Sequence, residues 1–301
     1  MTRVLRSLLF GASLAALPAV WGELPDARAD VTYDGFGDTS NLQLNGAAAA
    51  VATSDGTVLR VTPAVAGEAG SFFSLNKVST AEFTSVFSFR ITQSGGSIFD
   101  FNDEPGADGL VFVVQNVANN VGSAGQGIGY ESIGTSLGVE FDTWGNSVNA
   151  DPSQSHVGIN VNGSVTHNLP GMGPTINVGN TNAEPTPLPG PELDDGVRWW
   201  SWVLYDGFDI EVFLLQSESA TEPALPATPI LSFPVDLDAI LGGGAEAYAG
   251  FTSGTGLDWA NHDVIYWRYT EQVVPEPSSI GLAAICGAVL GTASRRRQRR
   301  A

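Results

Sequence analysis

In several runs along the chain apolar and polar positions alternate with a period of two, the repeat of an extended strand with one face buried. In Phe83-Thr84-Ser85-Val86-Phe87-Ser88-Phe89-Arg90-Ile91 the phase Phe87, Phe89, Ile91 is apolar, while Ser88 and Arg90 fall on the other face. β-branched and aromatic runs predict strands over Thr57–Thr62, Phe83–Thr92, Gly109–Asn116, Leu137–Asp142, His156–Val161, Trp199–Tyr205, Ile210–Leu215 and Asp263–Tyr269. Gly, Asn, Asp and Pro separate them, and neither a helical heptad nor an internal repeat interrupts the pattern. Many short strands with Gly-rich turns predict an all-β chain of two packed antiparallel sheets. Trp200 and Trp202 share one strand face and Trp199 takes the other, so all three read as packing residues.

Both ends of the 301-residue chain read as processing signals. Arg3 and Arg6 precede an apolar run from Leu8 to Val20, and Ala27-Arg28-Ala29 has the small-x-small form of a signal-peptidase site. Residues 1–29 are therefore expected to be a signal peptide, with the mature chain starting near Asp30. At the other end, Val274-Pro275-Glu276-Pro277-Ser278-Ser279 leads into an apolar run from Ile280 to Ala293, followed by Arg295, Arg296, Arg297, Arg299 and Arg300. That run is short for a stable membrane span, which takes about 20 residues. It predicts a short C-terminal transmembrane helix within 273–301. An ordinary anchor with a positive-inside flank is the alternative.

Between these ends, residues 30–272 are long enough for one large sandwich. The only cysteine, Cys286, lies in the C-terminal apolar run, so this domain has no disulfide. Residues 30–277 hold five basic residues, Arg60, Lys77, Arg90, Arg198 and Arg268, against 30 acidic ones, a net charge of −25. Such a surface repels nucleic acid and attracts divalent cations.

The chemistry concentrates in Val139-Glu140-Phe141-Asp142-Thr143-Trp144-Gly145-Asn146 and on to Asp151 and His156. Glu140 and Asp142 are two apart on a predicted strand, so they point to the same face and can share a cation. Carboxylates, an amide oxygen and a backbone carbonyl suit calcium, whereas an imidazole among carboxylates suits a transition metal such as manganese. One cluster could hold both ions. A solvated acidic strand end followed by a polar turn is the plainer alternative.

The run Glu-x-Asp, with Asn four beyond the Asp, Asp five further on and His five after that, resembles the metal loop of the legume (L-type) lectins. Other segments resemble that family in order along the chain. Asn41-Leu42-Gln43-Leu44-Asn45-Gly46-Ala47 looks like its opening strand and turn, and Val58 to Thr62 and Phe83 to Ile91 like its next strands. Ala107-Asp108-Gly109 matches its Ala-Asp-Gly motif, and Tyr248 to Gly256 with His262 to Tyr269 look like its closing pair of strands. The resemblance implies a concanavalin A-like antiparallel β-sandwich, or jelly roll. The C-terminal segment resembles the PEP-CTERM sorting signal of Gram-negative bacteria. It implies export, transient membrane contact through a sorting helix over 273–301, cleavage near Pro-Glu-Pro by an exosortase-type protease, and release or attachment at the cell surface or extracellular matrix.

What the lectin resemblance implies can be written residue by residue. Glu140, Asp142, Asp151 and His156 would hold the transition metal. Asp142, the Trp144 carbonyl, Asn146 and Asp151 would hold calcium. With calcium alone bound, His156 would support the site from outside the coordination shell. Sugar hydroxyls donate and accept, so a sugar site needs a carboxylate, an amide and main-chain N–H groups. Asp108, preceded by a cis non-proline bond, would supply the carboxylate, Asn146 the amide, and Gly127 or its neighbour Gly125 the main-chain donor. Trp144 would stack on the sugar's apolar face, with a buried Trp as the alternative reading, and Trp259 falls in the family's specificity loop.

The Pro- and Gly-rich stretch 166–195 departs from the family and reads as a flexible surface insertion. Asp100-Phe101-Asn102-Asp103-Glu104 reads as a solvated acidic loop, an additional calcium site being the alternative.

Related sandwiches include glucanases that carry Glu-x-Asp-x-x-Glu, but here Gly145 stands where the second Glu belongs. Retaining glycoside hydrolysis needs both carboxyls. No Gly-x-Ser-x-Gly elbow is present either. The sequence therefore predicts a non-enzymatic, metal-dependent lectin that binds extracellular polysaccharide or surface glycans. A structural or adhesive matrix protein that keeps the scaffold without sugar affinity is the alternative. Single lectin sites are weak, so a homo-oligomer is a candidate state through avidity.

Overall fold

The computed structural model describes residues 29–98, 100, 105–122, 125–179 and 188–271. The expected signal peptide (but for its last residue, Ala29) and the C-terminal sorting helix lie outside the described residues. Sixteen strands follow one another, beginning with β1 (Ala29–Asp34), β2 (Leu42–Gly46), β3 (Ala49–Thr53), β4 (Gly56–Thr62) and β5 (Ala69–Ser74). Next come β6 (Val78–Ser79), β7 (Phe83–Gly95), β8 (Gly109–Gln115), β9 (Ser136–Asp142), β10 (His156–Val161) and β11 (Thr175–Asn177). The chain continues through β12 (Trp199–Tyr205), β13 (Asp209–Gln216), β14 (Leu231–Pro234), β15 (Glu246–Gly254) and β16 (Trp259–Thr270).

They form two antiparallel sheets. The back sheet runs β14-β13-β12-β7-β16-β4-β3, with β1 also on β16. The front sheet runs β11-β10-β9-β8-β15-β5-β2, with β6 also on β15. This is the two-sheet sandwich that the alternation predicts, and all eight predicted strands are present. Of the other eight, β2 and β15 lie in segments that resemble the lectin family, and β1, β3, β5, β6, β11 and β14 are short, rich in small residues, or at an edge.

The sheets are held together by aromatic rings pointing inward from both. Phe87 of the back sheet lies 4.9 Å from Phe251, 5.6 Å from Phe141 and 5.7 Å from Phe112, all of the front sheet. Phe89 lies 4.9 Å from Phe141, and Trp267 5.5 Å from Phe251. All of these side chains are fully buried. Complete burial of one such side chain stabilises the fold by roughly 2–3 kcal/mol, with edge-to-face ring pairing adding to it. Trp199 joins this central core, whereas Trp200 and Trp202 pack with Val86 and Phe213 in a separate cluster on the other face of the back sheet. The face assignment of the three tryptophans therefore agrees with the period-two reading.

Segment 166–195 is not simply a surface insertion. Its β11 pairs with β10, while Val178 and Leu193 are fully buried in the central core. Pro and Gly mask this in the sequence because the core contacts come from isolated residues rather than from a periodic run.

Because Phe87 touches four other rings, Phe87→Ala should cost about 3–5 kcal/mol. The measurement is the urea midpoint at fixed calcium, with an unchanged slope if the unfolded state is unaffected.

Candidate functional site

The front sheet carries the candidate chemistry on its outer face. Leu137, Val139 and Phe141 of β9 enter the central core, so Glu140 and Asp142 point the other way. The register sets His156 of β10 directly opposite Asp142, and Gly158 opposite Glu140. Directly opposed residues project from the same face, so His156 joins the two carboxylates. Asp151 returns from the loop after β9, where its carboxylate accepts the Asn146 N–H at 2.6 Å. Asp142 accepts the Trp144 N–H at 2.7 Å.

The ligand atoms of Asp142, Asp151 and His156 lie within 4.8 Å of one another, as do those of Glu140, His156 and His167. His167 is the residue that sequence reasoning missed. Its Nε2 lies 2.8 Å from Glu140 Oε1, 3.4 Å from Asp151 Oδ1 and 3.2 Å from His156 Nε2. A histidine inside a Pro/Gly-rich stretch gives no periodic signal, and its place in the cluster depends on the fold.

Other side chains orient the ligands. Asn160 donates to Glu140 Oε2, and the Ser153 carbonyl lies 3.1 Å from His156 Nδ1. Asp100 is buried and accepts the Gly145 N–H, so the first residue of the acidic loop packs on the metal loop instead of being solvated. Residues 101–104 lie outside the described residues.

Burial pushes the Asp142 carboxyl well above the usual range, with Asp151 and then Glu140 adding to the rise. For Glu140 burial also acts upward, but the close approach of the His156 and His167 imidazoles outweighs it and brings it down to about 2. Burial acts downward on His167, and Asp151 and Glu140 reverse this, raising it to about 10. A cluster that draws protons onto itself in this way is one in which cations are strongly favoured. Hard oxygens around Asp142, Asn146 and Asp151 fit calcium, and imidazole with carboxylate fits a transition metal.

Beside this cluster is a cleft of about 230 Å³ lined by Ile98, Ala107, Asp108, Gln126, Trp144, Asn146, Gly256, Leu257 and Asp258. The Ala107–Asp108 bond is cis. Gly109, opposite Asp142, has φ +129°, and a Cβ there would lie 2.4 Å from the Phe141 carbonyl oxygen. Only glycine therefore lets β8 start this close to the metal strand. Asp108 is 4% exposed. Burial, and then the charge of Asp258, raise its carboxyl to about 7.

Two buried polar atoms of the lining residues have no hydrogen-bond partner: Asp108 Oδ2, an acceptor, and Asn146 Nδ2, a donor. Trp144 is half-buried beside them.

Of the predicted sugar residues, Asp108, Trp144 and Asn146 are brought together. Gln126 lines the cleft from the glycine loop, and Gly127, whose carbonyl accepts the Tyr130 and Glu131 N–H groups, is not among the lining residues. Trp259 is not among the lining residues. It opens β16 opposite Gly95, where a Cβ would meet its ring, so the loop before it presents Gly256, Leu257 and Asp258 to the cleft. A larger hollow of about 590 Å³ lies near Tyr33, Lys77, Glu246 and Glu271. Its lining contributes no unpartnered buried polar atom among the described residues.

Residues 28–282 match the legume lectin domain family, and residues 273–298 match the PEP-CTERM protein-sorting motif. The chain therefore belongs to the legume lectin domain family. The L-type lectin-domain containing receptor kinase VIII.1 of Arabidopsis thaliana is 31% identical over 192 residues, covering 62% of this chain and 23% of the kinase. A galactose-binding lectin of Arachis hypogaea is 36% identical over 90 residues, 28% of this chain and 30% of that lectin. The chain thus spans less than a third of the length of either relative.

Among solved structures, the metal-free form of lectin I-B4 from Griffonia simplicifolia superposes with a TM-score of 0.60 at 21% identity, covering 79% of this chain and 97% of that one. The exoplasmic/lumenal domain of VIP36, in its Ca2+/Man-bound form, gives 0.53 at 16% identity, with 79% and 85% coverage. These likenesses establish the concanavalin A-like sandwich. The sorting motif indicates export and exosortase processing in a Gram-negative bacterium.

Metal ligands must be deprotonated, and burial holds Asp142 toward its protonated form in the metal-free protein. Calcium uptake should therefore expel protons, and calcium affinity should fall as pH falls. Calorimetry at neutral pH in buffers of different ionisation enthalpy should show net proton release, with affinity rising from pH 5 to pH 8. A buffer-independent heat would contradict the buried, protonated Asp142.

Proposed function

We propose that this protein is an exported, calcium-dependent lectin that takes one sugar unit of an extracellular polysaccharide or surface glycan. The carrying observation is the pairing of Asp108 Oδ2 and Asn146 Nδ2, an unpartnered acceptor and donor on one cleft. Buried polar groups without partners are costly, and adjacent hydroxyls of a sugar, each donor and acceptor, would satisfy both. Trp144 supplies an apolar face for the ring's C–H surface. A volume of about 230 Å³ is below the roughly 300–1,000 Å³ of drug-sized sites and suits a single small polar ring.

In this reading Asp142, the Trp144 carbonyl, Asn146 and Asp151 hold calcium, which fixes the loop that presents Asn146. Glu140, Asp142, Asp151 and His156 hold the second, transition-metal ion. The same likeness to carbohydrate-binding lectins supports a binding rather than a catalytic role. Export through the sorting motif supports action at the cell surface or in the extracellular matrix, after signal-peptide removal near Asp30. That removal would leave β1 paired with β16 almost intact.

A glycan array probed with the purified protein, with calcium and manganese and again after chelation, tests the reading. Binding to a defined glycan class that disappears with chelator is expected. Asp108→Ala and Asn146→Ala should each weaken it by about 1.5–3 kcal/mol, roughly 10–150-fold, because each removes a hydrogen bond at a desolvated polar site. Metal-stabilised folding with no glycan retained on any array would favour the structural matrix role instead.

A further inference from the structure

We propose that His167 is a direct ligand of the second metal, and that its two imidazoles make this a zinc-type site instead of a manganese one. The inference rests on the reading of residues 140–156 as a metal loop and adds a ligand from outside that loop.

The first support is distance. Ligand atoms bonded to an ion at about 2.1 Å lie roughly 3.0 Å apart at right angles and roughly 3.4 Å apart at tetrahedral angles. His167 Nε2 is 2.8 Å from Glu140 Oε1, 3.2 Å from His156 Nε2 and 3.4 Å from Asp151 Oδ1, and His156 Nε2 is 3.4 Å from Glu140 Oε1. The ligand atoms of Glu140, His156 and His167, from β9, β10 and the loop after β10, are thus spaced as neighbours around one ion, with Asp151 next to His167 on one side.

The second support is the direction of the lone pairs. The Ser153 carbonyl can only accept, so it fixes the hydrogen of His156 on Nδ1 and leaves a lone pair on Nε2, aimed at His167. Glu140 Oε1 makes no hydrogen bond of good geometry although both imidazoles approach it. A cation bound between them would take the lone pairs of His156 Nε2 and Glu140 Oε1, with His167 giving up its proton to join them.

The third is that the fold holds His167 there. Its N–H donates to the Asn149 carbonyl at 2.9 Å, tying it to the turn inside the metal loop. Gly158 leaves the space: a Cβ on it would lie 2.5 Å from Glu140 Oε1 and 3.0 Å from His167 Cε1. Imidazole nitrogens favour zinc, nickel and copper, whereas an oxygen-dominated site suits manganese. A second imidazole therefore moves the preference along that series.

The chain contains three histidines, so imidazole nitrogen NMR on the uniformly 15N-labelled full-length protein reads the site directly. With calcium saturating and one equivalent of zinc added, the resonances of His156 and His167 should both move. His262, whose Nδ1 lies 2.8 Å from the Thr62 hydroxyl in a separate network, should not. Movement of His156 alone overturns the proposal while leaving the metal-loop reading intact, and movement of neither, together with no calcium uptake, overturns both.

His167→Ser should weaken zinc about 10–100-fold and manganese less, with calcium affinity retained. Unchanged zinc affinity in that variant, or manganese outcompeting zinc in the unmodified protein, refutes it. Should the variant fail to fold, the spectrum of the unmodified protein decides alone.

Discussion

Glu140, Asp142 and Asp151 share one patch on the outer face of the front sheet, the first two fully or nearly fully buried, and this crowding of negative charge constrains everything around it. Two carboxylates within 4.8 Å repel by roughly 3–4 kcal/mol even at an effective dielectric of 20. The polypeptide alone answers with a proton on Asp142 and a positive His167 against Glu140. Divalent cations answer more completely, since each neutralises two charges and binds several oxygens at once. In the proposed reading, the loop from Trp144 to Asp151 would be held by the ions it encloses.

The cleft depends on the same constraint through the β-register. Pairing Gly109 with Asp142 places Asp108 at the edge of the metal strand, and the Thr143 N–H donates to the Asp108 carbonyl at 3.2 Å. From behind, a chain of hydroxyls reaches the same point. Ser253 donates to the Gly109 carbonyl, Thr62 lies 2.7 Å from Ser253 and His262 Nδ1 lies 2.8 Å from Thr62. Each hydroxyl has one hydrogen, so if Ser253 gives its own to Gly109, Thr62 must give its hydrogen to Ser253. His262 must then donate from Nδ1 to Thr62. Burial keeps His262 neutral by lowering it to about 3, so this tautomer persists across ordinary pH. The network ties β16 and β4 of the back sheet to β15 and β8 of the front, directly beneath Asp108.

How much of this was legible in the sequence followed from periodicity and local spacing. The alternation through Phe87, Phe89 and Ile91 identified core strands because both faces of the strand carry distinct environments. Glu140, Asp142, Asn146, Asp151 and His156 were legible because they lie within one strand and its loop. Asp108 was legible only through its Ala-Asp-Gly motif. His167, Asp258 and Leu257 were not, since each reaches its place through tertiary contacts that no spacing encodes. Asp258 accepts the Ser97 and Ile98 N–H groups at 2.8 and 3.2 Å, closing one wall of the cleft from a loop 160 residues away in sequence. Trp259 illustrates the opposite error. Its neighbour in the loop faces the cleft, but β16 pairing fixes Trp259 itself over Gly95.

The sole cysteine, Cys286, leaves the sandwich without a disulfide, the usual restraint of exported domains. The interior aromatic contacts supply much of the stability, but they secure the two sheets to each other rather than the loops on the front sheet's outer face. Ions that bind the folded loop and not the unfolded chain add about 2.7 kcal/mol when present at a hundred times their dissociation constant. That contribution would fall on the segment from Trp144 to His156 and, through His167, on the stretch that follows β10. A net charge of −25 over residues 30–277 works in the same direction, because it raises the local concentration of divalent cations around the proposed metal site. Cation binding would thus serve loop order and ligand presentation together: the charges that crowd the patch are the charges that would recruit ions to hold Asn146 against the cleft.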